Sequence, residues 1–233
     1  MYLSTRCTVG LIEREKMSLI QKGFRKFKKF LKLALKSTVK SAQKPNIQVG
    51  KYTYGFENIK TSWGREAEVH IGSFTSIALN LEIQLGGNHN SQWVSTYPFG
   101  HVSKDYKVLF GPPVKLHPAP AKSVMIGSDV WIGHGVSIMG GVRIGDGAVI
   151  AMNSHVVGDV GAYEVYGGNP ARKIRDRFSK EIVRELCALK WWEAEDEEIA
   201  LIKHLLTQPP TLHSIKEMKK ILVQAKNSVI VIN

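Results

Sequence analysis

From Ile126 onward an aliphatic residue recurs every six positions: Ile126, Ile132, Ile138, Ile144, Ile150 and Val156. Four residues after each comes a small or β-branched side chain: Val130, Val136, Val142, Ala148, Ser154 and Val160. Ile71, Ile77 and Ile83 repeat the spacing earlier, and Val49 heads one more isolated unit. A helix would impose a period near 3.6 and a simple amphipathic strand a period of two. Six in register suits short flat strands separated by tight turns, stacked as an all-β solenoid. The aliphatic of each repeat points inward, the small residue fills the corner, and glycines take backbone angles that other residues avoid. The rival, an ordinary β-sandwich, would have to produce this register by accident. Trp131, beside Ile132, reads as a corner residue packing the coil.

Ile83 and Ile126 are not separated by a multiple of six, so Gly86 to Lys122 must leave the coil. Long loops inside compact domains are usually functional. This one holds His89, Trp93, Tyr97, Phe99, His101, Tyr106, Phe110 and His117, with prolines at 98, 112, 113, 118 and 120 to stiffen it. It reads as the wall of an acceptor pocket. A neutral imidazole, with a reference pKa of about 6.5, can take a proton from an attacking alcohol or amine near neutral pH. His134 and His155 lie in the coil run, His70 precedes a core Ile, and His204 and His213 fall on helical segments. A zinc site would require His89, His101 and His117 to converge, and no metal is expected.

The chain carries a net charge of +12, and residues 1–44 account for +10 of it, with twelve Lys or Arg against Glu13 and Glu15. Within this arm Ile20, Phe24, Phe27, Leu31, Ala34 and Leu35 form one helical stripe, and Lys or Arg cover the other side. A basic amphipathic helix over 18–40 suits an anionic membrane surface. A helix packed on the body with a solvated cationic face is the alternative. Nucleic acid is not expected, because no recognisable binding fold follows the arm. The first sixteen residues lack a secretory pattern, and Met17 is an alternative start. No run of about 18 apolar residues exists. Two cysteines, Cys7 and Cys187, make no disulfide scaffold, and a cytoplasmic location with reduced thiols is expected. Cys187 falls on a C-terminal helix and reads as core.

The remaining C-terminal residues, 176–233, read as a helical appendage. Ser179 can cap a helix bearing Ile182, Leu186 and Leu189. Glu193 to Glu198 reads as a solvated helix start, Ile199, Ile202, Leu205 and Leu206 continue a second helix, and Thr207-Gln208-Pro209-Pro210 ends it. Residues 214–226 suit another basic helix and Ser228 to Ile232 a strand.

The hexapeptide run with Asp129-Val130-Trp131-Ile132-Gly133 and Gly167-Gly168-Asn169-Pro170-Ala171 resembles the left-handed β-helix acyltransferases. Gly87-Asn88-His89, Trp93, Ser95-Thr96-Tyr97-Pro98-Phe99, Arg177-Phe178-Ser179 and Trp191-Trp192 resemble the xenobiotic acetyltransferase branch, which includes chloramphenicol and streptogramin acetyltransferases. The resemblance covers roughly residues 45–207. It implies left-handed coils over 45–175, a homotrimer with active sites between subunits, and acetyl-CoA as cosubstrate without a metal. It makes His89 the general base, with Asn88, Trp93, Tyr97 and Phe99 on the acceptor side. It sets the pantetheine arm beside Gly135, Met152, Asn153, Val157 and Gly158. The family often has Thr-Lys where this chain has Val157-Gly158, which removes one expected phosphate contact. Arg172, Lys173 and Arg175 are the phosphate candidates. The short segment from Val49 to Ile71 favours relatives that acetylate a sugar of a surface polysaccharide or its precursor. An antibiotic or amino-sugar acetyltransferase and a catalytically idle trimeric scaffold are the alternatives. On the sugar reading, the arm would hold the enzyme peripherally on the inner face of the membrane.

Overall fold

The computed structural model describes residues 46–64, 66–101, 110–114 and 119–230. The basic arm of 1–44, with the helix expected over 18–40, lies outside the described residues, as do Tyr106, His117 and Pro118. In chain order the strands are β1 (Asn46–Val49), β2 (Lys60–Ser62), β3 (Glu68–Ile71), β4 (Ser76–Ile77), β5 (Glu82–Gln84), β6 (Val124–Ile126), β7 (Trp131–Ile132), β8 (Ser137–Met139), β9 (Arg143–Ile144), β10 (Val149–Ile150), β11 (His155–Val156), β12 (Glu164–Gly168) and β13 (Ala171–Asp176). They form three sheets, ordered β1-β3-β6-β9, β4-β7-β10-β12-β13 and β2-β5-β8-β11. Every pairing is parallel except the β12–β13 hairpin. Strands taken in turn from the three sheets make a parallel β-helix of three faces.

The register shows the repeat directly. Trp131 pairs with Val149 and Ser137 with His155, each 18 residues on, so one coil is three hexapeptides. Ser76 pairs with Trp131 and Val69 with Val124, each 55 residues on. The surplus of 37 residues equals the length of 86–122, and Lys122 N–H donates to Leu85 O (2.8 Å) where that loop closes. The loop is therefore a pure insertion that returns to the coil without slipping it.

Both expected columns point inward. Ile126, Ile132, Ile138, Ile144, Ile150 and Val156 are buried, and so are Val130, Val136, Val142, Ala148, Ser154 and Val160. Coils are tied by backbone bonds, among them Gly72 N–H to Ile126 O, Gly127 N–H to Ile144 O and Gly145 N–H to Val160 O, at 2.8 to 2.9 Å. Trp131 departs from its expected role. It is 59% exposed on β7, because alternation on a strand turns it outward when Ile132 turns in. The basic residues after Asn169-Pro170 form the antiparallel edge strand β13.

Three helices follow: α1 (Lys180–Leu189), α2 (Asp196–Leu206) and α3 (Leu212–Ile230). Ser179 caps α1 by accepting from Ile182 N–H (3.4 Å). Glu195 and Glu198 form a capping box at α2. That box, with Glu198 accepting from Glu195 N–H (3.0 Å), buries a glutamate expected to be solvated. The helix of α3 runs to Ile230, where a strand was expected. No Gly or Pro interrupts 212–230, so each added residue extends the hydrogen-bond ladder, and this outweighs the β preference of Val and Ile. Leu186, Ile202, Ile215, Met218 and Leu222 make a second core with Tyr163.

The helices pack along one corner of the solenoid. Tyr52, Phe74, Asp129 and Gly147 all take left-handed backbone angles there. Trp191 packs on Phe74 (4.7 Å between ring centroids), and Phe74 on Tyr52 (4.9 Å). Tyr52 donates its hydroxyl to the Asp196 carboxylate, and Lys51 Nζ reaches Asp196 Oδ1 (3.2 Å) and Ala194 O (2.7 Å). Arg177 lies over the rings of Tyr163 (5.3 Å) and Phe178 (5.1 Å) and donates to Gly147 O (2.5 Å). It also stands 3.7 Å from Asp129, whose pKa burial raises and Arg177 partly lowers again. The Arg177-Phe178 and Trp191-Trp192 motifs thus serve this seam. Cys187 belongs to it, half-buried and unbonded, with its thiol pKa pushed up by burial.

Candidate active site

The excursion leaves the solenoid immediately after β5, at the corner between the β2-β5-β8-β11 sheet and the β1-β3-β6-β9 sheet. Its first residues are Gly86, Gly87, Asn88 and His89. Asn88 is held twice: its carbonyl accepts from Ala119 N–H (2.8 Å), and its side-chain oxygen accepts from Gln84 Nε2 (3.5 Å). His89 is exposed, and its Nδ1 lies 2.7 Å from Thr96 O. A carbonyl can only accept, so Nδ1 carries the hydrogen. In the neutral ring Nε2 then bears the lone pair. This tautomer is the one a general base acting through Nε2 requires.

The described residues that follow, up to Val114, carry aromatic side chains of the excursion. Gln92 N–H bonds Asn90 Oδ1 (3.0 Å) and Tyr97 N–H bonds Ser95 Oγ (3.1 Å), two local turns that fold the segment back. Thr96, the acceptor for His89, lies between Ser95 and Tyr97. Tyr97 meets Phe99 edge-on (4.9 Å), and Phe99 meets Phe110 edge-on (5.2 Å). Trp93 and Tyr97 keep substantial exposed area. His101 donates from Nε2 to Val114 O (2.9 Å), tying the two arms of the loop. Asn88, Trp93, Tyr97 and Phe99 thus share the excursion with His89. Among the described residues no three His, Cys, Asp or Glu come together as a metal site.

The donor-side candidates fall in three places. Val157 and Gly158 stand on the corner from which the excursion leaves, since Gln84 pairs with Met139 and Ile138 with Val156. They lie two strand spacings above that exit, about 10 Å along the solenoid. Val157 is exposed, and no described residue comes within 4 Å of where a Gly158 Cβ would be. Gly135, Met152 and Asn153 gather at the other end of the same sheet. Gly135 N–H donates to Leu79 O (3.0 Å), Asn153 N–H to His134 O (2.8 Å), and Met152 is 63% exposed. Arg172, Lys173 and Arg175 lie apart on β13. Lys173 is bound to Glu164 (2.6 Å) and Asp176 (2.7 Å), and these carboxylates, Asp176 foremost, raise its pKa. Arg172 and Arg175 each donate one bond to a neighbouring carbonyl, at 2.9 and 3.1 Å.

Trp63, which sequence reasoning does not single out, supports the excursion from the coil before it. Its indole lies under Gly87, where a Cβ would fall 2.6 Å from Cγ. The contact crosses coils: Ser62 pairs with Gln84, so Trp63 stands beside Leu85 and reaches Gly87 from there, and no local pattern in the sequence marks it.

The bacterial transferase hexapeptide family (six repeats) matches residues 123–158. A probable macrolide acetyltransferase of Lysinibacillus sphaericus is 42% identical over 62% of this chain and 80% of its own length. A chloramphenicol acetyltransferase of Agrobacterium fabrum is 36% identical over 72% of this chain and 85% of its own. This chain belongs to the hexapeptide-repeat acetyltransferases. A virginiamycin A acetyltransferase of Staphylococcus aureus is also similar, 37% identical over 64% of this chain and 72% of its own. A hexapeptide-repeat acetyltransferase of Vibrio cholerae, solved with acetyl coenzyme A, is 26% identical over 57% of this chain and 62% of that chain, with a TM-score of 0.42. In this acetyltransferase the 36 residues matched by the family cover the two coils that follow the excursion, from β6 to β11.

Proposed function

We propose that this acetyltransferase moves an acetyl group from acetyl-CoA to a sugar hydroxyl, on a surface polysaccharide or its precursor, with His89 as general base. The observation that carries the base assignment is the Nδ1–H bond to Thr96 O, which leaves Nε2 as the proton acceptor. His89 Nε2 takes the hydroxyl proton as the oxygen attacks the thioester carbonyl. The tetrahedral intermediate then expels the CoA thiolate, which takes back the proton held on His89 Nε2. The pantetheine arm would run beside Val157 and Gly158 toward the corner of Gly135, Met152 and Asn153, with Arg172 and Arg175 toward the phosphates. Lys173, already neutralised by two carboxylates, contributes less. The coils wind left-handed, as the hexapeptide repeat implies, and three chains assemble with the site between neighbours. That assembly would let donor and acceptor groups from different chains meet.

The acceptor class rests on the first coil. Asn46 pairs with Glu68, 22 residues on, only four more than a regular coil of 18, so this coil has no excursion of its own. A single excursion leaves an open site suited to a sugar. The names of the relatives favour a second reading, in which the acceptor is a drug hydroxyl. Acetyl-CoA-dependent transfer to a panel of glycans, amino sugars, chloramphenicol and macrolides, with wild type and His89→Ala, separates these. Transfer to glycans that is lost in His89→Ala supports the proposal. Transfer confined to the drugs would replace the sugar by the second reading. The basic arm would hold the enzyme on anionic membrane from the cytoplasmic side. Flotation with anionic liposomes tests this, and binding unchanged by deletion of residues 1–44 would defeat it.

A further inference from the structure

The stem of the excursion stands on a side chain that lies outside it. Trp63 follows β2 with φ 58°, a left-handed angle that bulky residues rarely adopt, yet the residue is 66% exposed. Core burial is therefore not what it supplies. Its strand pairs Ser62 with Gln84, and Leu85 N–H donates to Ser62 O (3.0 Å), which sets Trp63 beside Leu85 and Gly86. From there it meets both glycines of the stem. A Cβ on Gly86 would lie 2.5 Å from Trp63 O. A Cβ on Gly87 would lie 2.6, 2.9 and 3.0 Å from indole Cγ, Cδ1 and Cδ2. Gly87 itself has φ 79°, so the chain turns sharply while pressed on the ring. The next two residues are Asn88, fixed by Gln84 and Ala119, and His89.

We infer that Trp63 is a positioning residue for His89: the indole is the floor on which Gly87 is pressed, and so it sets where Nε2 presents its lone pair. The inference rests on the reading of His89 as the base. The backbone bonds at Leu85 and Lys122 anchor the loop to the coil, and the Thr96 bond sets the ring's tautomer. Between these anchors the glycine pair joins the coil to Asn88 and the base, and glycines without a floor are the freest residues in a chain. A misplacement of about 1 Å in a reacting group can cost on the order of 10²-fold in rate.

The test is steady-state acetyl transfer and melting temperature for Trp63→Ala, Trp63→Phe, Gly87→Asn, His89→Ala and the Trp63→Ala/His89→Ala pair. Trp63→Ala is expected to lower kcat by roughly tenfold or more, with KM for acetyl-CoA within about twofold of wild type. Trp63→Phe restores most of that loss by keeping a flat ring under the stem. Gly87→Asn tolerates the left-handed angle but drives a Cβ into the indole, so it lowers kcat in the same way. In the His89→Ala background Trp63→Ala causes no further loss, because the group it positions is gone. A Trp63→Ala or Gly87→Asn kcat within about twofold of wild type, or an equal loss in both backgrounds, overturns the inference. If instead His89→Ala alone keeps the wild-type rate, it is the base assignment that fails.

Discussion

Replacing Ile138 by Ala removes three carbons from the middle of an inward column. Ile138 is fully buried, paired with Ile83 on one side and Val156 on the other. Lost transfer free energy is about 0.8 kcal/mol per carbon, or about 2.4 kcal/mol in all. The cavity adds to this, because neighbouring strands are held at a fixed spacing of about 4.8 Å by backbone bonds and cannot close over the gap. A total of about 3–4 kcal/mol is expected, inside the range of roughly 2–5 for such truncations. In a chain of this size that is a fall of roughly 10 °C in melting temperature, read by calorimetry. Ser137→Ala, one residue earlier and facing outward, should shift it by less than about 2 °C. A loss below about 1 kcal/mol for Ile138→Ala, or equal losses for the two variants, would refute the inward assignment of the column.

Other outcomes follow from the seam between solenoid and helices. Gly147→Ala should destabilise by about 2 kcal/mol or more, because Gly147 has φ 68° and a Cβ there would run into the Tyr163 ring; an unchanged melting temperature would contradict this. The Tyr52 hydroxyl and then Lys51 hold the Asp196 pKa below the usual carboxylate range. That stabilisation is present above the ordinary pKa and is lost as pH falls through the depressed one. The melting-temperature gap between wild type and Asp196→Asn should therefore close as pH falls below the ordinary carboxylate range, and a constant gap would argue against it. Glu198→Ala should cost about 1 kcal/mol and raise hydrogen exchange in the first turn of α2, since it removes half of a capping box; unchanged exchange there would count against the cap.

Much of the solenoid was legible because its core is written in one period. The positions of Ile126 through Val156 predict the inward column without reference to any distant residue. The excursion was legible from the broken count of six. Trp131 was misread because its size suggested burial, whereas its place beside Ile132 already required it to face outward. The strand expected at the C-terminus was lost to cooperativity, since a helix without a breaker continues through β-branched residues. Of the candidate site, His89 and the aromatic residues of the excursion stand close together in sequence, so the sequence alone puts them on one loop. Trp63 beneath Gly87 could not be read so, because a contact between coils leaves no local pattern. The pairing of Lys173 with Glu164 likewise depends on the β12–β13 hairpin.

Whether His89 takes the acceptor proton is read from the pH dependence of kcat/KM for acetyl transfer in wild type and His89→Ala, with acetyl-CoA binding measured on both proteins. Wild type should show an acid limb of unit slope. His89→Ala should lose that limb, run slower by roughly 10²–10⁴-fold and bind acetyl-CoA as wild type does. A variant that keeps both the limb and the rate would contradict His89 as the base.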